Sequence, residues 1–173
     1  MKKILLNLLL ISITMSGHSQ NKNMELEAFN IIGITTETTN ANGQSITDIG
    51  KLWQQFEQEQ IATKIPNIVS NEVFSVFTDY ESDYTGAYRV IIGFKVSDLE
   101  EIPEGMVGRS FKAGSYTRFM AKGKVPQSIA QTWQSIWKED EKQKRRYTAD
   151  YEVYGPKSQQ GERSEVDIYI AVE

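Results

Sequence analysis

The sequence predicts an α+β fold in which a strand-helix-strand-strand unit occurs twice, with pseudo-two-fold symmetry, an antiparallel sheet, two helices and a ligand groove between the repeats. The main observation is that residues 49–74 resemble residues 129–154 at a constant shift of 80, with seven of 26 positions identical. Each segment begins with an amphipathic helix, and alternating apolar residues follow it, as half-buried strands require. A seam between like halves is a natural place for a pocket. The alternative is chance similarity between two amphipathic helices.

The first half, at about residues 25–97, is predicted as a strand, a helix and two further strands. Ser45 or Thr47 can cap the helix. Its apolar residues fall at i, i+3, i+4 and i+7, which gives one buried stripe of Ile49, Leu52, Trp53 and Phe56. The strand at Tyr88 places alternate apolar residues on one face. The strands that we expect are residues 26–36, 72–80 and 88–96.

The second half, at about residues 106–172, follows an acidic connection over residues 98–105 and repeats the order of elements. Its helix has an apolar stripe of Ile129, Trp133, Ile136 and Trp137. The charged run over residues 138–146 is predicted to finish this helix as a solvated surface, since its acids come first and its bases last, as the helix dipole favours. The strands that we expect lie within residues 106–121, 150–154 and 165–172.

The first 20 residues are predicted to be a cleaved signal peptide. Lys2 and Lys3 precede an apolar stretch, and the small residues Gly17 and Ser19 follow it. The apolar stretch is shorter than the ~20 residues that a membrane span needs, so we expect no stable span after cleavage. An uncleaved membrane anchor is the alternative. We therefore expect an exported, periplasmic or secreted protein whose residues 21–173 form one domain.

Composition excludes several classes of function. The chain has no cysteine, and its one histidine, His18, lies in the predicted signal peptide. Without His or Cys, the mature chain lacks the usual nucleophile systems and the usual zinc ligands, so we expect no metal and no cofactor. Loss of Lys2 and Lys3 would leave 17 basic and 23 acidic residues, a net charge of −6. Such an acidic domain is a poor nucleic-acid binder.

Strand alternation suggests one group of residues that could carry chemistry. It places Glu152 and Tyr154 on one face of the penultimate strand, and Tyr169 on the non-aliphatic face of the last strand. If the aliphatic faces pack on the helices, these three residues share the opposite surface. A carboxylate among phenols suits a lipophilic cation. The alternative is an ordinary solvent-facing strand surface.

Three short stretches resemble the signature segments of the GyrI-like domain, the effector-binding module of many AraC- and MerR-type regulators, which also occurs as a stand-alone protein. They are residues 113–119 (AGSYTRF), 150–154 (DYEVY) and 164–170 (SEVDIYI). The resemblance implies a duplicated fold with a groove for drug-like, often aromatic and cationic compounds. It also implies a ligand-binding role for Glu152 and for Tyr116. The further candidates that we name for the groove are Tyr88, Tyr154, Tyr169, Trp133 and Trp137.

These observations leave three functions open. The first is a binding protein for a lipophilic, cationic or aromatic small molecule, with no DNA-binding region. The second is a hydrolase of strained electrophilic natural products that uses Glu152 as acid or base beside Tyr154 or Tyr116. The third is a scaffold without a small-molecule ligand, in which the aromatic residues only form the core. The sequence alone does not indicate an oligomeric state.

Overall fold

The computed structural model describes residues 22–173, whose strands form one eight-stranded antiparallel sheet. The fold class predicted from the sequence, α+β with strand-helix-strand-strand order in each half, is confirmed. The first half consists of β1 (Lys22–Leu26), β2 (Phe29–Thr39), α1 (Gln44–Gln58), α2 (Ile61–Lys64), β3 (Ile68–Thr78) and β4 (Ala87–Val96). The second half consists of β5 (Val107–Phe111), β6 (Gly114–Lys122), α3 (Gln127–Lys138), α4 (Asp140–Gln143), β7 (Ala149–Tyr154) and β8 (Glu165–Ala171).

The two halves share the sheet rather than standing apart. The strand order is β1-β6-β8-β7-β3-β4-β2-β5, so the seam at the centre joins β7 of the second half to β3 of the first. Each half also lends one strand to the other, because β1 pairs with β6 and β5 pairs with β2. The helices α1 and α3 therefore lie over one continuous sheet, one from each half.

Both faces of this sheet are buried. On one face, alternate strand residues such as Ile92 and Ile168 pack with Leu52 of α1 and Ile136 of α3. The opposite face carries a smaller cluster of strand residues alone. In that cluster the rings of Phe29 and Tyr151 are only 5.3 Å apart, although two strands separate β2 from β7. Three strand spacings of about 4.8 Å would place them some 14 Å apart in a flat sheet, so the sheet curls toward this second face.

The 80-residue correspondence holds in the helices but not in the strands after them. Phe56 and Ile136, which it pairs, both pack in the core under the helices. Phe74 and Tyr154, which it also pairs, lie on opposite faces of the sheet, as do Val73 and Val153. Because side chains alternate along a strand, a correspondence that changes face is out of phase by an odd number of residues. The sequence duplication itself stays a prediction.

Two local predictions are wrong. Ser45 and Thr47 do not cap α1, because the helix begins at Gln44, directly after Gly43 in the left-handed region (φ 71°). The charged run does not continue the second helix either. α3 ends at Lys138, and the short α4 ends before Lys144, whose φ is 49°. Within the run, the side chain of Arg145 is fully buried, so the prediction of a solvated surface fails there.

The predicted signal peptide lies outside the described residues. Over residues 22–173, the helices are all too short or too polar to cross a bilayer.

Candidate functional site

A cavity of about 500 Å³ opens between α1 and α3, above the central strands β3, β4 and β7. The helices supply the same kind of surface from both sides, because their apolar stripes extend past the core and reach the cavity. Gly50 leaves room in α1, since a Cβ atom there would meet no atom within 4 Å. The helix residues that line the cavity include Ile46, Ile49, Gly50, Trp53, Ile129, Ala130, Trp133, Gln134 and Trp137.

Among residues 22–173, Glu152 of β7 is the only charged residue in the lining of this cavity. It is 5% exposed. Its Oε1 accepts a hydrogen bond from Nε1 of Trp133 at 2.6 Å, and its Oε2 accepts one from the hydroxyl of Tyr154, also at 2.6 Å. Burial raises the pKa of Glu152, and these two hydrogen bonds oppose the rise. Both partners are neutral donors, so within the part of the chain that the structure describes no cation neutralises this carboxylate.

Aromatic rings form most of the wall around Glu152. Trp53 of α1 meets Tyr154 edge to face, with ring centroids 4.8 Å apart, and Phe77 meets Trp133 in the same way at 5.2 Å. The hydroxyl of Tyr88 donates to Oδ1 of Asn40 at 2.8 Å. Burial raises the pKa of Tyr88 to about 12 and holds the pKa of Tyr154 well above its usual 10. Both phenols therefore remain neutral hydrogen-bond donors at physiological pH.

The turn between β3 and β4 adds one further ring at the cavity. Tyr84 stacks on Trp137 of α3 with ring centroids 5.4 Å apart and an angle of 8° between the planes. Its backbone carbonyl accepts a hydrogen bond from Nδ2 of Asn40 at 2.8 Å. The turn is thereby held against both halves of the molecule.

A second buried carboxylate, Asp150, lies two residues before Glu152 and is already paired. Its Oδ2 lies 2.6 Å from the guanidinium of Arg145, and the side chains of both residues are fully buried. Oδ2 also accepts a hydrogen bond from the hydroxyl of Tyr80 at 2.9 Å, and Oδ1 accepts one from the backbone N–H of Ala171 at 2.8 Å. The cavity therefore has a compensated carboxylate behind its wall and an uncompensated one in its lining.

The structure brings five of the seven predicted site residues to the cavity: Glu152, Tyr154, Tyr88, Trp133 and Trp137. Tyr116 and Tyr169 lie on the opposite face of the sheet, where their rings pack against Tyr151. The prediction that Tyr169 shares a surface with Glu152 is wrong. Register pairs Tyr169 with Tyr151 and pairs Glu152 with Ile168, so the carboxylate shares the aliphatic face under the helices.

Sequence reasoning missed several lining residues. Trp53 is the counterpart of Trp133 at the 80-residue shift, so the predicted repeat contained a signal for it. Tyr80 and Tyr84 lie in the connection after β3, which ends at Thr78, and hydrophobic periodicity gives no signal there. The charged run predicts a solvated Arg145, and only the structure places it beside Asp150.

Comparison with known proteins gives one family match. The model of the family Cass2, described as integron-associated effector binding protein, matches residues 24–172. The Vibrio cholerae integron cassette protein VCH_CASS2 is 30% identical, with 89% of this chain and 97% of that chain covered and a TM-score of 0.70.

Two further proteins are similar over most of this chain. The transcriptional regulator BrlR of Pseudomonas aeruginosa is 29% identical over 159 residues, which is 86% of this chain but 54% of BrlR. This chain thus spans about half the length of that regulator. The structure of SAV2435 bound to tetraphenylphosphonium has a TM-score of 0.75 at 18% identity, with 89% of this chain and 94% of that chain covered, which shows a shared fold.

Proposed function

This chain belongs to the Cass2 family of integron-associated effector binding proteins, and we propose that its cavity binds a lipophilic organic cation with Glu152 as the counter-charge. The family match and the resemblance to GyrI-like modules agree on an effector-binding domain. The ligand class is the step that we add to it.

One observation carries the proposal: the only charged group in an otherwise neutral, aromatic cavity is a buried carboxylate without a cationic partner in residues 22–173. Removing a carboxylate from water is costly unless a positive charge compensates it. A cationic ligand supplies that charge. A neutral ligand does not, and an anionic ligand adds repulsion.

The aromatic wall suits the same class of ligand. Trp53, Trp133 and Tyr154 line the cavity together with Glu152. Aromatic faces attract organic cations by about 0.5–2 kcal/mol each. Trp133 and Tyr154 already donate their polar hydrogens to Glu152. The cavity thus offers a ligand mainly apolar surface and negative potential, which favours delocalised or quaternary cations.

The relatives support the proposal at the level of the domain. SAV2435, which shares the fold, is a protein whose structure holds tetraphenylphosphonium, a lipophilic cation. The transcriptional regulator BrlR is about twice as long as the segment that matches this chain. We therefore do not assign its regulatory activity to this chain.

From residues 1–20 alone, we further propose that the chain is exported with a cleaved signal peptide.

The substitution Glu152→Gln tests the electrostatic part of the proposal. We expect affinity for tetraphenylphosphonium, measured by isothermal titration calorimetry, to fall by about 100-fold, because the buried charge is lost while the shape is kept. Affinity for neutral triphenylphosphine oxide should change by less than about threefold.

Glu72→Gln is the matched control, since Glu72 is the half-buried counterpart of Glu152 at the 80-residue shift and lies outside the cavity lining. It should leave both affinities unchanged. Equal losses for the cation and the neutral compound in Glu152→Gln would contradict the proposed role of the charge.

The hydrolase alternative is separated from binding by the same variant. A hydrolase would turn over electrophilic natural products, and Glu152→Gln would abolish turnover while ligands still bound. We expect no turnover across such a panel, because both oxygens of Glu152 accept hydrogen bonds from neutral donors and, among residues 22–173, no second carboxyl group and no lysine or histidine lines the cavity.

A further inference from the structure

We infer that this cavity selects ligands with a single positive charge and excludes compact dications. The inference rests on the proposed function and adds the number of charges that the site can compensate. Among residues 22–173, the cavity lining holds one charged group, and the charged groups behind it are already paired with each other.

The carboxylate of Asp150 is not available to compensate a charge on a ligand. Although it lies on β7 near Glu152, its carboxylate is saturated by Arg145, by Tyr80 and by the backbone of Ala171. Arg145 and Asp150 are both fully shielded from water, and the pair is held at 2.6 Å. A ligand ammonium that approached Asp150 would have to displace the guanidinium of Arg145 from a buried ion pair.

The wall near Trp133 supplies no free counter-charge for a second positive charge. The guanidinium of Arg145 lies 6.0 Å from the ring centroid of Trp133, and it also pairs with Asp140 at 2.9 Å. Trp133 in turn faces the cavity and donates to Glu152. Asp140 and Asp150 both pair with Arg145, so neither carboxylate is left to compensate a second positive charge along this wall.

Among residues 22–173, the rest of the lining carries no second negative charge. Oδ1 of Asn40 is used by Tyr88, and Nδ2 of Asn40 is used by the carbonyl of Tyr84. The mouth is apolar or neutral, with Ile46 80% exposed and the glutamines Gln127 and Gln134 beside it. A second charge inside the cavity would lose its water without a partner, whereas one on a long tether could remain in water at the mouth. The exclusion therefore applies to dications compact enough to be enclosed.

An isosteric pair of ions isolates charge from size. The dication is 1,1′-dimethyl-4,4′-bipyridinium, and the monocation is 1-methyl-4-(4-methylphenyl)pyridinium, which replaces one ring nitrogen with carbon. Affinities are measured by displacement of tetraphenylphosphonium from the full chain. We expect the monocation to bind at least about tenfold more tightly than the dication, because the second charge is desolvated without compensation.

The variant Gln134→Glu adds a second carboxylate to the lining without changing its shape. It should raise affinity for the dication about tenfold more than affinity for the monocation. Gln131→Glu, on the same helix but outside this cavity, should favour neither ion. Equal or tighter binding of the dication by the wild-type protein would overturn the inference and leave the proposed function standing. Failure of tetraphenylphosphonium itself to bind would instead remove the proposed function.

Discussion

The ionisation of a single residue, Glu152, decides whether the cavity attracts a cation. Burial raises the pKa of this carboxyl above its usual 4.5. Because only the ionised form attracts a cation, affinity for tetraphenylphosphonium should rise with pH up to the raised pKa and then level off. Below that pKa the expected slope is about tenfold per pH unit. Calorimetry in two buffers of different ionisation enthalpy should also detect proton release on binding.

The same raised pKa fixes the sign of its effect on stability without ligand. A carboxyl with a raised pKa in the folded state stabilises the protein fully below pH 4.5 and loses that contribution as pH rises through the folded-state pKa. The neighbouring groups on β3, β4 and β8 are Ser75, Tyr88 and Ile168, none of which titrates in this range. In Glu152→Gln, the pH dependence of tetraphenylphosphonium binding should disappear. The pH dependence of stability should lose the contribution of this carboxyl, while the contributions of other groups such as Asp150 remain. A binding curve that stays flat with pH in the wild-type protein would contradict this role.

The buried ion pair between Arg145 and Asp150 should be important for the stability of the fold. Its partner Asp150 is fully buried, so Arg145→Met leaves an uncompensated carboxylate in the core. We expect the free energy of unfolding, measured with urea, to fall by about 3–5 kcal/mol. The neighbouring Arg146 is exposed, and Arg146→Met should cost less than about 0.5 kcal/mol. Similar effects of the two substitutions would show that the buried pair is not important for stability.

These two residues also show how much of the site the sequence predicts. Glu152 could be proposed from the sequence because a family signature contains it, and the structure brings it to the cavity. Arg145 could not, because a base in a charged run is usually solvated. Its burial depends on α3 ending at Lys138 and on the left-handed turn at Lys144, which periodicity does not reveal.

Among the secondary-structure elements, the helix α1 contains a glycine whose replacement should stabilise the protein. Gly50 lies in the helix interior, where a Cβ atom would meet no other atom within 4 Å. Gly50→Ala should therefore raise the free energy of unfolding by about 0.5–1 kcal/mol through helix propensity. Gly123→Ala is a control of opposite sign, since Gly123 has a φ of 123° and an alanine there is strained. Thermal or urea unfolding measures the effect of both substitutions. Destabilisation by Gly50→Ala would show that a Cβ atom at position 50 is not free of contacts.

The sequence predicts which residues of a strand share a face, but it does not predict which face packs against the helices. Alternation correctly places Tyr88, Val90 and Ile92 on one face of β4. It does not say which face of β7 meets the helices, because both faces of this curled sheet are buried and a one-residue slip exchanges them. That ambiguity is why Tyr169 was assigned to the wrong face. Cross-strand register, a long-range property, decides it.

At the scale of the whole molecule, the site exists because two halves share one sheet. α1 comes from the first half, α3 and Glu152 come from the second, and the seam between β3 and β7 holds them in place. The repeated order of elements predicts such a seam. The curl of the sheet and the 500 Å³ cavity arise from packing between strands far apart in sequence, so composition and periodicity could not predict them.

The decisive experiment is a crystal structure of the full chain with tetraphenylphosphonium bound. We expect the phosphorus atom to lie between α1 and α3, within about 6 Å of the Glu152 carboxylate, with phenyl rings against Trp53 and Trp133. A cation bound elsewhere on the molecule, or one in this cavity with Glu152 turned away from it, would contradict the account.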